Sequence, residues 1–335
     1  TSMIEGETAT VTVVLSEAVA AFAAADITCD NGAMGALSTS DQITFTGTCT
    51  PTAEVTEDSN TCVVGTSWTD TAGNAPEAGL TSANYEIDGV DPTVTSITVG
   101  DTSMIEGETA TVTVVLSEAN SGFTNADVTC ANGDLGALST GDGLTYTGTF
   151  TPTAETSDPT NTCVVGTGWT DTAGNAGVGS TSANYVIDGV DPEVSTIAMG
   201  SSALKVGETT VLTIVFTEAV AAFASNDDVT CEKGSLAVMS SSDQITWTGT
   251  FTPTDNIDDP TNTCTVATSY TDTLGNGVGE SQATANYDID TIEPTVTSIT
   301  VGDTSLIEGD TAVITIVLSE ANSGFTNADV TCANG

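Results

Sequence analysis

Acidic residues recur at fixed places along the chain, and carboxylates can bind hard cations or transfer protons. The segment Tyr-Val-Ile-Asp-Gly-Val-Asp-Pro at residues 185–192 occurs earlier at residues 85–92 with Glu86 in place of valine and, further altered, at residues 287–294. Each copy ends with two acidic residues three positions apart, followed by a proline. A second acidic motif, Asp-Thr-Ala/Leu-Gly-Asn, occurs at residues 70–74, 171–175 and 272–276. Carboxylate and amide oxygens are ligands for calcium, so both motifs are candidate metal sites.

Cysteines form the second chemically active set. Eight are present, and six of them recur as a pair with the same internal spacing. This recurrence predicts disulfides and an oxidising, extracellular setting. Buried free thiols are the alternative, and a metal site is a weaker third interpretation because the chain has no histidine and no CxxC motif. The predicted pairs are Cys29 with Cys62, Cys130 with Cys163, and Cys231 with Cys264.

The two remaining cysteines have no partner in this pattern. Cys49 occupies the inward position held by Phe150 and Phe251 in later copies, which predicts a small buried apolar side chain. An intermolecular crosslink is the alternative for Cys49. Cys332 repeats the first cysteine of the pair without a second one following it.

Charge excludes several classes of function. Only two lysines and no histidine stand against 46 acidic residues, for a net charge of -44. Nucleic acid is excluded as a partner because phosphate binding needs a basic surface. With no histidine and only two lysines, catalysis by Ser-His-Asp, Cys-His or a lysine Schiff base is not expected. Paired carboxylates can hydrolyse glycosides, but an active site is needed only once and these carboxylates repeat, so we expect no enzyme.

Internal repetition sets the domain organisation. The proline-containing segments divide the chain into repeat 1 (residues 1–90), repeat 2 (91–190), repeat 3 (191–292) and a partial repeat 4 (293–335). Repeat 1 lacks the opening strand that the later repeats carry, and repeat 4 stops after its third strand. No run approaches the length of an apolar membrane span, so no membrane insertion is expected.

Alternation with a period of two runs through repeat 2 and predicts an all-β fold. Seven short strands are expected, which is typical of an immunoglobulin-like β-sandwich. The chain is therefore expected to be a linear rod of tandem sandwiches. The disulfide would join two neighbouring strands of one sheet. The predicted strands are A 93–99, B 109–118, C 126–131, D 135–139, E 143–152, F 161–170 and G 181–188.

Alternating strands also determine which loops share one end of a sandwich. The joint between repeats 1 and 2 is expected to meet Asp142 and the strand-end acids of repeat 2, together with Glu5, Glu7, Glu54, Glu57 and Asp58 of repeat 1. The alternative is that these are solvated turn residues, because Asp and Asn favour turns without any metal. The candidate calcium ligands are Asp88, Asp91, Glu118, Asp171 and Asn175 at the first junction; Asp188, Asp191, Glu218, Asp272 and Asn276 at the second; and Asp290, Glu293 and Glu320 at the third.

Aromatic and threonine residues have simpler interpretations. Trp68, Trp169 and Tyr270 have the parity of core positions, so core packing is favoured over a sugar-stacking surface. Outward threonines on strand E fit ordinary strand propensity on a solvated face.

The repeated motifs resemble those of bacterial immunoglobulin-like tandem repeats in large extracellular adhesins of the RTX and biofilm type. The resemblance rests on the Asp-Thr-Ala/Leu-Gly-Asn motif followed after a strand by Ile-Asp-x-x-Asp/Glu-Pro. It implies calcium at Asp88, Asp91, Asp171, Asp188, Asp191 and Asp272, and a rod stiffened by that calcium. The cysteine pairs depart from the usual repeat of this family, which is poor in cysteine.

Two non-catalytic functions follow from these features. The first is a calcium-stiffened, disulfide-stapled stalk of a cell-surface adhesin, in which each repeat contacts its neighbours in the same chain. The second is a structural subunit of an extracellular filament or sheath, in which repeats of different chains pack laterally or end to end.

Overall fold

A computed structural model describes residues 2–221, 223 and 227–333. It divides into two compact units, Thr1–Val190 and Asp191–Gly335. Nearly all of the regular structure is β, with single 3-10 turns at Ala24–Asp26, Asn125–Asp127 and Asn327–Asp329. In the described part of the chain no helix has the length and apolar character needed to cross a membrane.

Repeat 1 forms two sheets. Strand order is β1-β9-β6 in one sheet and β2-β5-β4-β3-β7-β8 in the other. The strands are β1 Ser2–Ile4, β2 Ala9–Val14, β3 Ile27–Cys29, β4 Gly32–Met34, β5 Thr44–Pro51, β6 Thr56–Asn60, β7 Cys62–Val64, β8 Leu80–Thr81 and β9 Tyr85–Asp88.

Repeat 2 has the same plan with an additional first strand. The main sheet runs β10-β12-β17-β15, with β16 also paired to β17, and β14-β19-β21 and β11-β22-β18 form separate three-stranded sheets. The strands are β10 Val94–Val99, β11 Ser103–Ile105, β12 Ala110–Leu116, β13 Asn120–Ser121, β14 Val128–Cys130, β15 Gly133–Leu135, β16 Ser139–Thr140, β17 Thr145–Pro152, β18 Ser157–Asn161, β19 Cys163–Val165, β20 Thr170–Asp171, β21 Ser180–Thr181 and β22 Tyr185–Asp188.

Repeat 3 repeats this topology in the second unit, and beyond it two strands, β35 and β36, pair in a two-stranded sheet. The strands are β23 Val194–Met199, β24 Ala203–Lys205, β25 Thr210–Phe216, β26 Val220–Ala221, β27 Val229–Cys231, β28 Gly234–Leu236, β29 Thr246–Pro253, β30 Asp258–Asn262, β31 Cys264–Val266, β32 Thr271–Asp272, β33 Gln282–Ala283, β34 Tyr287–Asp290, β35 Val296–Val301 and β36 Ile314–Leu318.

The alternating sequence determines which side chains enter the core. In β12, Val112 and Val114 are fully buried, and Val114 pairs with Tyr146 of the antiparallel β17. Phe150 of β17 is buried opposite Ala110 and meets the Tyr185 ring edge-on at 5.3 Å. The main sheet and the β11-β22-β18 sheet therefore supply one core, as an immunoglobulin-like sandwich requires.

The observed strands differ from the predicted ones in several places. Strand D is divided into β15 and β16, strand G is divided into β21 and β22, and the short β13 was not predicted. A parallel strand, β11, pairs with β22 and was not predicted, because three residues after a turn carry too little periodicity to identify a strand. Strand F runs from Ser157 to Val165 as β18 and β19, earlier than predicted, and ends before the glycines at 166 and 168. Glycine favours the break because it has no side chain to pack in a strand.

The aromatic residues predicted to be core are placed accordingly. Trp169 and Tyr270 are buried, and Trp68 packs partly buried against the core of repeat 1. The Trp169 indole donates a hydrogen bond to the carbonyl of Gly166 at 3.1 Å. The Tyr185 hydroxyl donates to the carbonyl of Ala131 at 2.6 Å, which ties the last strand to the turn after β14.

Each complete repeat contains one disulfide between neighbouring antiparallel strands. The bonded pairs are Cys29–Cys62, Cys130–Cys163 and Cys231–Cys264. In each pair the two cysteines lie directly opposite one another across the strands. In the chain-entropy model, closing a loop of this length contributes about 3 to 4 kcal/mol.

Candidate metal centre

Three carboxylates converge where repeat 1 meets repeat 2, inside the first unit. Asp88 ends β9, Glu118 follows β12, and Asp171 ends β20. One oxygen from each lies within 4.8 Å of the others. Calcium–oxygen bonds are about 2.3 to 2.6 Å long, so oxygens this close can be ligands of one ion. The group therefore has the donors and the spacing to hold a metal ion.

Asp171 is fixed by its own loop. Its Oδ1 accepts hydrogen bonds from the backbone N–H groups of Ala173 at 2.9 Å, Gly174 at 2.6 Å and Asn175 at 2.9 Å. Gly174 has a φ of 115°, a conformation that a residue with a Cβ rarely adopts. The Asp-Thr-Ala-Gly-Asn sequence thus builds a turn around its first carboxylate, and this turn holds the Asp171 side chain at 1% exposure.

Asn175 connects this loop to the preceding repeat. Its Nδ2 donates to Asp171 Oδ2 at 2.8 Å and to the backbone carbonyl of Asp88 at 2.8 Å. Its Oδ1 accepts from the backbone N–H of Glu5 at 3.4 Å. The structure therefore places Asn175 as the residue that positions the joint, with its amide nitrogen turned to Asp88 and Asp171.

The joint itself is held on both sides. Beyond Asp88, the buried Pro92 accepts a hydrogen bond through its carbonyl from the backbone N–H of Val178 at 2.9 Å. Thr93 donates its N–H to Ser117 Oγ at 2.9 Å, next to Glu118. These contacts bring the end of β9 and the residue after β12 to the same loop.

The charge of this group is not balanced by any side chain of the first unit. Residues 1–190 contain no lysine, arginine or histidine. Burial raises the pKa of Glu118, and the negative charges of Asp88 and Asp171 raise it further. Three carboxylates that lie close together, without a basic side chain among residues 1–190, favour the binding of a cation or of a proton.

Asp91 and Asp142 were also expected at this junction, and both lie outside the group. Asp91 is exposed on the joint. Asp142 accepts hydrogen bonds in its own turn from the N–H groups of Leu144 at 2.9 Å and Thr145 at 2.7 Å. These bonds lower the pKa of Asp142 to about 2. Strand alternation predicts at which end of a sandwich a loop lies. It does not predict on which side of that end the loop's carboxylate lies.

The residues predicted for the second junction belong to two units, which divide between Val190 and Asp191. In the first unit, Asp188 Oδ1 accepts a hydrogen bond from Ser157 at 2.9 Å. In the second, Asp272 Oδ1 accepts from the N–H groups of Leu274, Gly275 and Asn276, and Asn276 Nδ2 donates to Asp272 Oδ2 at 2.7 Å. The convergence of these residues with Asp191 and Glu218 stays a prediction.

At the third junction, Asp290 Oδ1 accepts from the N–H of Ile292 at 3.2 Å. Glu320 is half-buried, and its Oε1 has no hydrogen-bond partner among the described residues. A shared site of Asp290, Glu293 and Glu320 also stays a prediction.

One residue that holds the Asp88 carboxylate was not predicted from the sequence. Thr56 of β6 lies opposite Asp88 across the strands and donates its hydroxyl to Asp88 Oδ1 at 2.8 Å. Ser157 has the same relation to Asp188 in repeat 2. The signal was a hydroxyl residue in equivalent positions of two repeats, but recognising its partner requires the register of β6 on β9.

Comparison with a family of known sequences agrees with the internal repetition. The profile of the bacterial Ig-like domain matches four consecutive stretches, residues 1–87, 88–187, 188–289 and 290–335. The chain belongs to the bacterial Ig-like domain family. A search of curated protein sequences found no match.

The solved structures that match this chain are distant in sequence. The titin domains I67–I69 share 12% identity with a TM-score of 0.42, over 87% of this chain and 95% of theirs. Invasin, a bacterial integrin-binding protein, shares 14% identity with a TM-score of 0.35, over 93% of this chain and 67% of its own. The surface-layer protein SbsC shares 13% identity with a TM-score of 0.24, over 95% of this chain and 62% of its own.

Proposed function

We propose that this chain is a non-catalytic extracellular spacer, a stalk segment of a cell-surface adhesin whose joints are stiffened by calcium. Three features support the proposal: tandem bacterial Ig-like domains, one disulfide in each complete repeat, and a carboxylate group at the joint within the first unit. Disulfides persist in oxidising compartments, which supports the extracellular location.

The single observation that carries the calcium proposal is the group of Asp88, Glu118 and Asp171. It takes one carboxylate from the end of repeat 1 and two from repeat 2, so one ion bound there would connect both repeats. Calcium accepts flexible geometry with six to eight oxygens, and water would supply those that the three side chains do not. Binding would also relieve the repulsion among three carboxylates that no basic side chain of residues 1–190 offsets.

A structural role also follows from the chemistry at hand. The Asp171 carboxylate is engaged by four hydrogen-bond donors of its own loop. A loop of this kind recurs in each complete repeat, whereas an active site is needed only once. We therefore propose that these carboxylates organise a joint and do not perform catalysis.

Calcium binding is tested on the full chain by isothermal titration calorimetry. The variant Asp171→Asn should lower the number of bound calcium ions by one relative to the unchanged chain. The control Asp134→Asn removes the same charge from an exposed position on β15 and should leave the number unchanged. Absence of calcium binding to the unchanged chain would remove the proposal, as would an equal stoichiometry in Asp171→Asn.

The spacer role has a separate test in small-angle scattering. A monomeric stalk should keep the same molecular mass over a wide range of concentration, and a chelator should broaden its distribution of interatomic distances. A scattering curve that does not respond to the chelator would leave a spacer without calcium-stiffened joints.

One observation favours the filament as a second candidate. The outward face of the main sheet in repeat 2 carries uncharged cross-strand rows, in which Thr113 pairs with both Thr98 and Thr147, and Thr147 pairs with Ser139. In a chain of net charge -44, such a face is the part of the surface that copies can approach without repulsion. Sedimentation velocity distinguishes the two functions, because a filament subunit would assemble with rising concentration in calcium.

A further inference from the structure

Repeat 1 contains three sulfur atoms in one buried group. Cys29 and Cys62 are bonded, and Cys49 is a free thiol at 1% exposure. The three Sγ atoms lie within 4.8 Å of one another. A thiol that close to a disulfide is within reach of the reaction by which thiols exchange with disulfides.

The sheet brings Cys49 to the disulfide through β4. Cys49 of β5 pairs with Met34 of β4, and Gly32 of β4 pairs with Cys29 of β3. Gly32 has no side chain, and a Cβ at that position would lie 2.7 Å from Cys49 Sγ. The glycine therefore leaves the space that the Cys49 thiol uses.

Repeats 2 and 3 lack this arrangement. Phe150 and Phe251 stand at the equivalent position, and each meets a tyrosine ring edge-on at 5.3 Å. In repeat 1 the smaller Cys49 pairs with Ala9 as Phe150 pairs with Ala110. Its sulfur can change position by rotation about one bond, whereas a packed phenylalanine ring displaces its neighbours when it moves.

We propose that repeat 1 carries an exchangeable disulfide, in which Cys49 displaces either Cys29 or Cys62 from the bond between them. The Cys49 thiolate attacks one sulfur of that bond, and a new bond forms from Cys49 to it. The bond to the other sulfur breaks, and that sulfur leaves with the electron pair as a thiolate and takes up the proton that Cys49 gave up. One disulfide and one thiol exist before and after, so no oxidant or reductant is required.

The surroundings of Cys49 set the rate of exchange. Burial raises the pKa of the Cys49 thiol, and a hydrogen bond with Tyr85 partly opposes that effect. The other ionisable group at this place is Asp30, which follows β3 and whose backbone carbonyl accepts a hydrogen bond from the Tyr85 hydroxyl. The thiolate is the attacking species, so exchange should accelerate roughly tenfold for each pH unit while the thiol remains mostly protonated.

Exchange changes the length of chain that the bridge encloses. The Cys29–Cys62 bridge closes a loop with a sequence separation of 33, and either new bridge closes a shorter one because Cys49 lies between the two. The folded sheet favours the resident bridge, because Cys29 and Cys62 lie directly opposite one another on paired strands. Under tension, the exchanged isomers leave more of repeat 1 free to extend before a covalent bond stops it. This property belongs to repeat 1 alone and does not depend on calcium or on the spacer role.

The test maps the free thiol of repeat 1. The chain should carry Cys332→Ser in every sample, because Cys332 is an exposed free thiol that would exchange by itself. Samples held at about pH 7, 8 and 9 are transferred without reductant to denaturant at about pH 5 with an excess of a maleimide, and then digested with pepsin. Exchange is slow at that pH because little thiolate is present, whereas the excess maleimide still labels the exposed thiols. Two further variants serve as controls: Cys49→Phe, which restores the residue found at 150 and 251, and Cys49→Ser.

The proposal expects label on Cys29 and Cys62 as well as on Cys49, in a proportion that is reached faster at higher pH and does not depend on protein concentration. Both Cys49 variants should show no label, and Cys130, Cys163, Cys231 and Cys264 should stay unlabelled in every sample. Label confined to Cys49 at all three pH values would overturn the proposal. Label spread equally over the cysteines of all repeats would also overturn it, because the exchange would then not be local to repeat 1.

Discussion

Repeats 1 and 2 contain the same Asp-Thr-Ala-Gly-Asn loop in different surroundings. In both, the aspartate Oδ1 accepts N–H groups of the loop, and the asparagine Nδ2 donates to Oδ2, at 2.7 Å in repeat 1 and 2.8 Å in repeat 2. Asp171 and Asn175 are nevertheless buried, whereas Asp70 is half-buried and Asn74 is exposed. The loop is thus built by local hydrogen bonds, and in repeat 2 the carboxylate group is completed by Asp88 of the preceding repeat.

The interiors of repeats 1 and 2 differ at the position of Cys49 and Phe150. The surrounding strands are alike, because Ala9 pairs with Cys49 as Ala110 pairs with Phe150. The single change from phenylalanine to cysteine replaces an aromatic contact with a third sulfur. A loop can therefore keep its geometry and differ in function, while one core residue changes the chemistry of a whole repeat.

The largest expected effect concerns this core position. Phe150→Ala removes a fully buried ring and should destabilise repeat 2 by about 3 to 5 kcal/mol. Cys49→Ala removes a single sulfur atom and should cost repeat 1 far less. Hydrogen exchange followed by mass spectrometry resolves the repeats of the full chain. Equal costs at both positions would show that Cys49 stabilises its core as much as Phe150 does.

The next effect concerns the two copies of the loop. Calcium at about 100 times its dissociation constant should stabilise the joint between repeats 1 and 2 by about 2.7 kcal/mol. Asp171→Asn should abolish this gain, measured as protection of residues 171–178 from hydrogen exchange with calcium and with chelator. Asp70→Asn, the same substitution in the less buried copy, is the matched control and should leave that protection unchanged. A loss of protection in both variants would mean that the loops respond to charge in general.

A smaller effect is expected at the glycines that face the two core residues. A Cβ at Gly133 would lie 2.4 Å from the Phe150 ring and 2.5 Å from the carbonyl of Thr151. Gly133→Ala should therefore cost about 1 to 3 kcal/mol by overpacking. A Cβ at Gly32 would meet Cys49 Sγ at 2.7 Å and backbone only at 3.4 Å. Gly32→Ala should cost less, because the sulfur of a cysteine side chain can rotate away and a backbone carbonyl cannot, and chemical unfolding of the variants measures the difference.

The smallest effect is a dependence on pH. The raised pKa of Glu118 means that its stabilising contribution is complete below the unfolded value of 4.5 and is lost as the pH rises through the folded pKa. In chelator, Glu118→Gln should therefore make the joint more stable than the unchanged chain at neutral pH, and the difference should vanish in acid. Thermal unfolding against pH measures it.

Asp142 provides the opposite sign within the same repeat. Its pKa is lowered to about 2, so its contribution is present above its unfolded value of 3.8 and is lost as the pH falls toward 2. Asp142→Asn should be less stable than the unchanged chain at neutral pH, and the difference should shrink in acid. A common sign for Glu118 and Asp142 would contradict the environments described for both.

Several features could be predicted from the amino-acid sequence because they are local or repeated. Alternation identified most of the strands of repeat 2, the recurrence of cysteines identified three bonded pairs, and the parity of Trp169 placed it in the core. The parallel strand β11 and the early start of strand F could not be predicted, because each is stabilised by its partner β22 and not by its own sequence pattern.

The repeat, the fold class and the turn around Asp171 follow from the order of residues, because side-chain periodicity and local hydrogen bonds depend on neighbours along the chain. Which carboxylates meet depends on the folded molecule. Asp88, Glu118 and Asp171 come from two repeats, and their approach depends on how Asn175 holds the joint. The position of Cys49 against the Cys29–Cys62 bond has the same origin, since the approach of β5 to β3 across β4 is a property of the folded sheet.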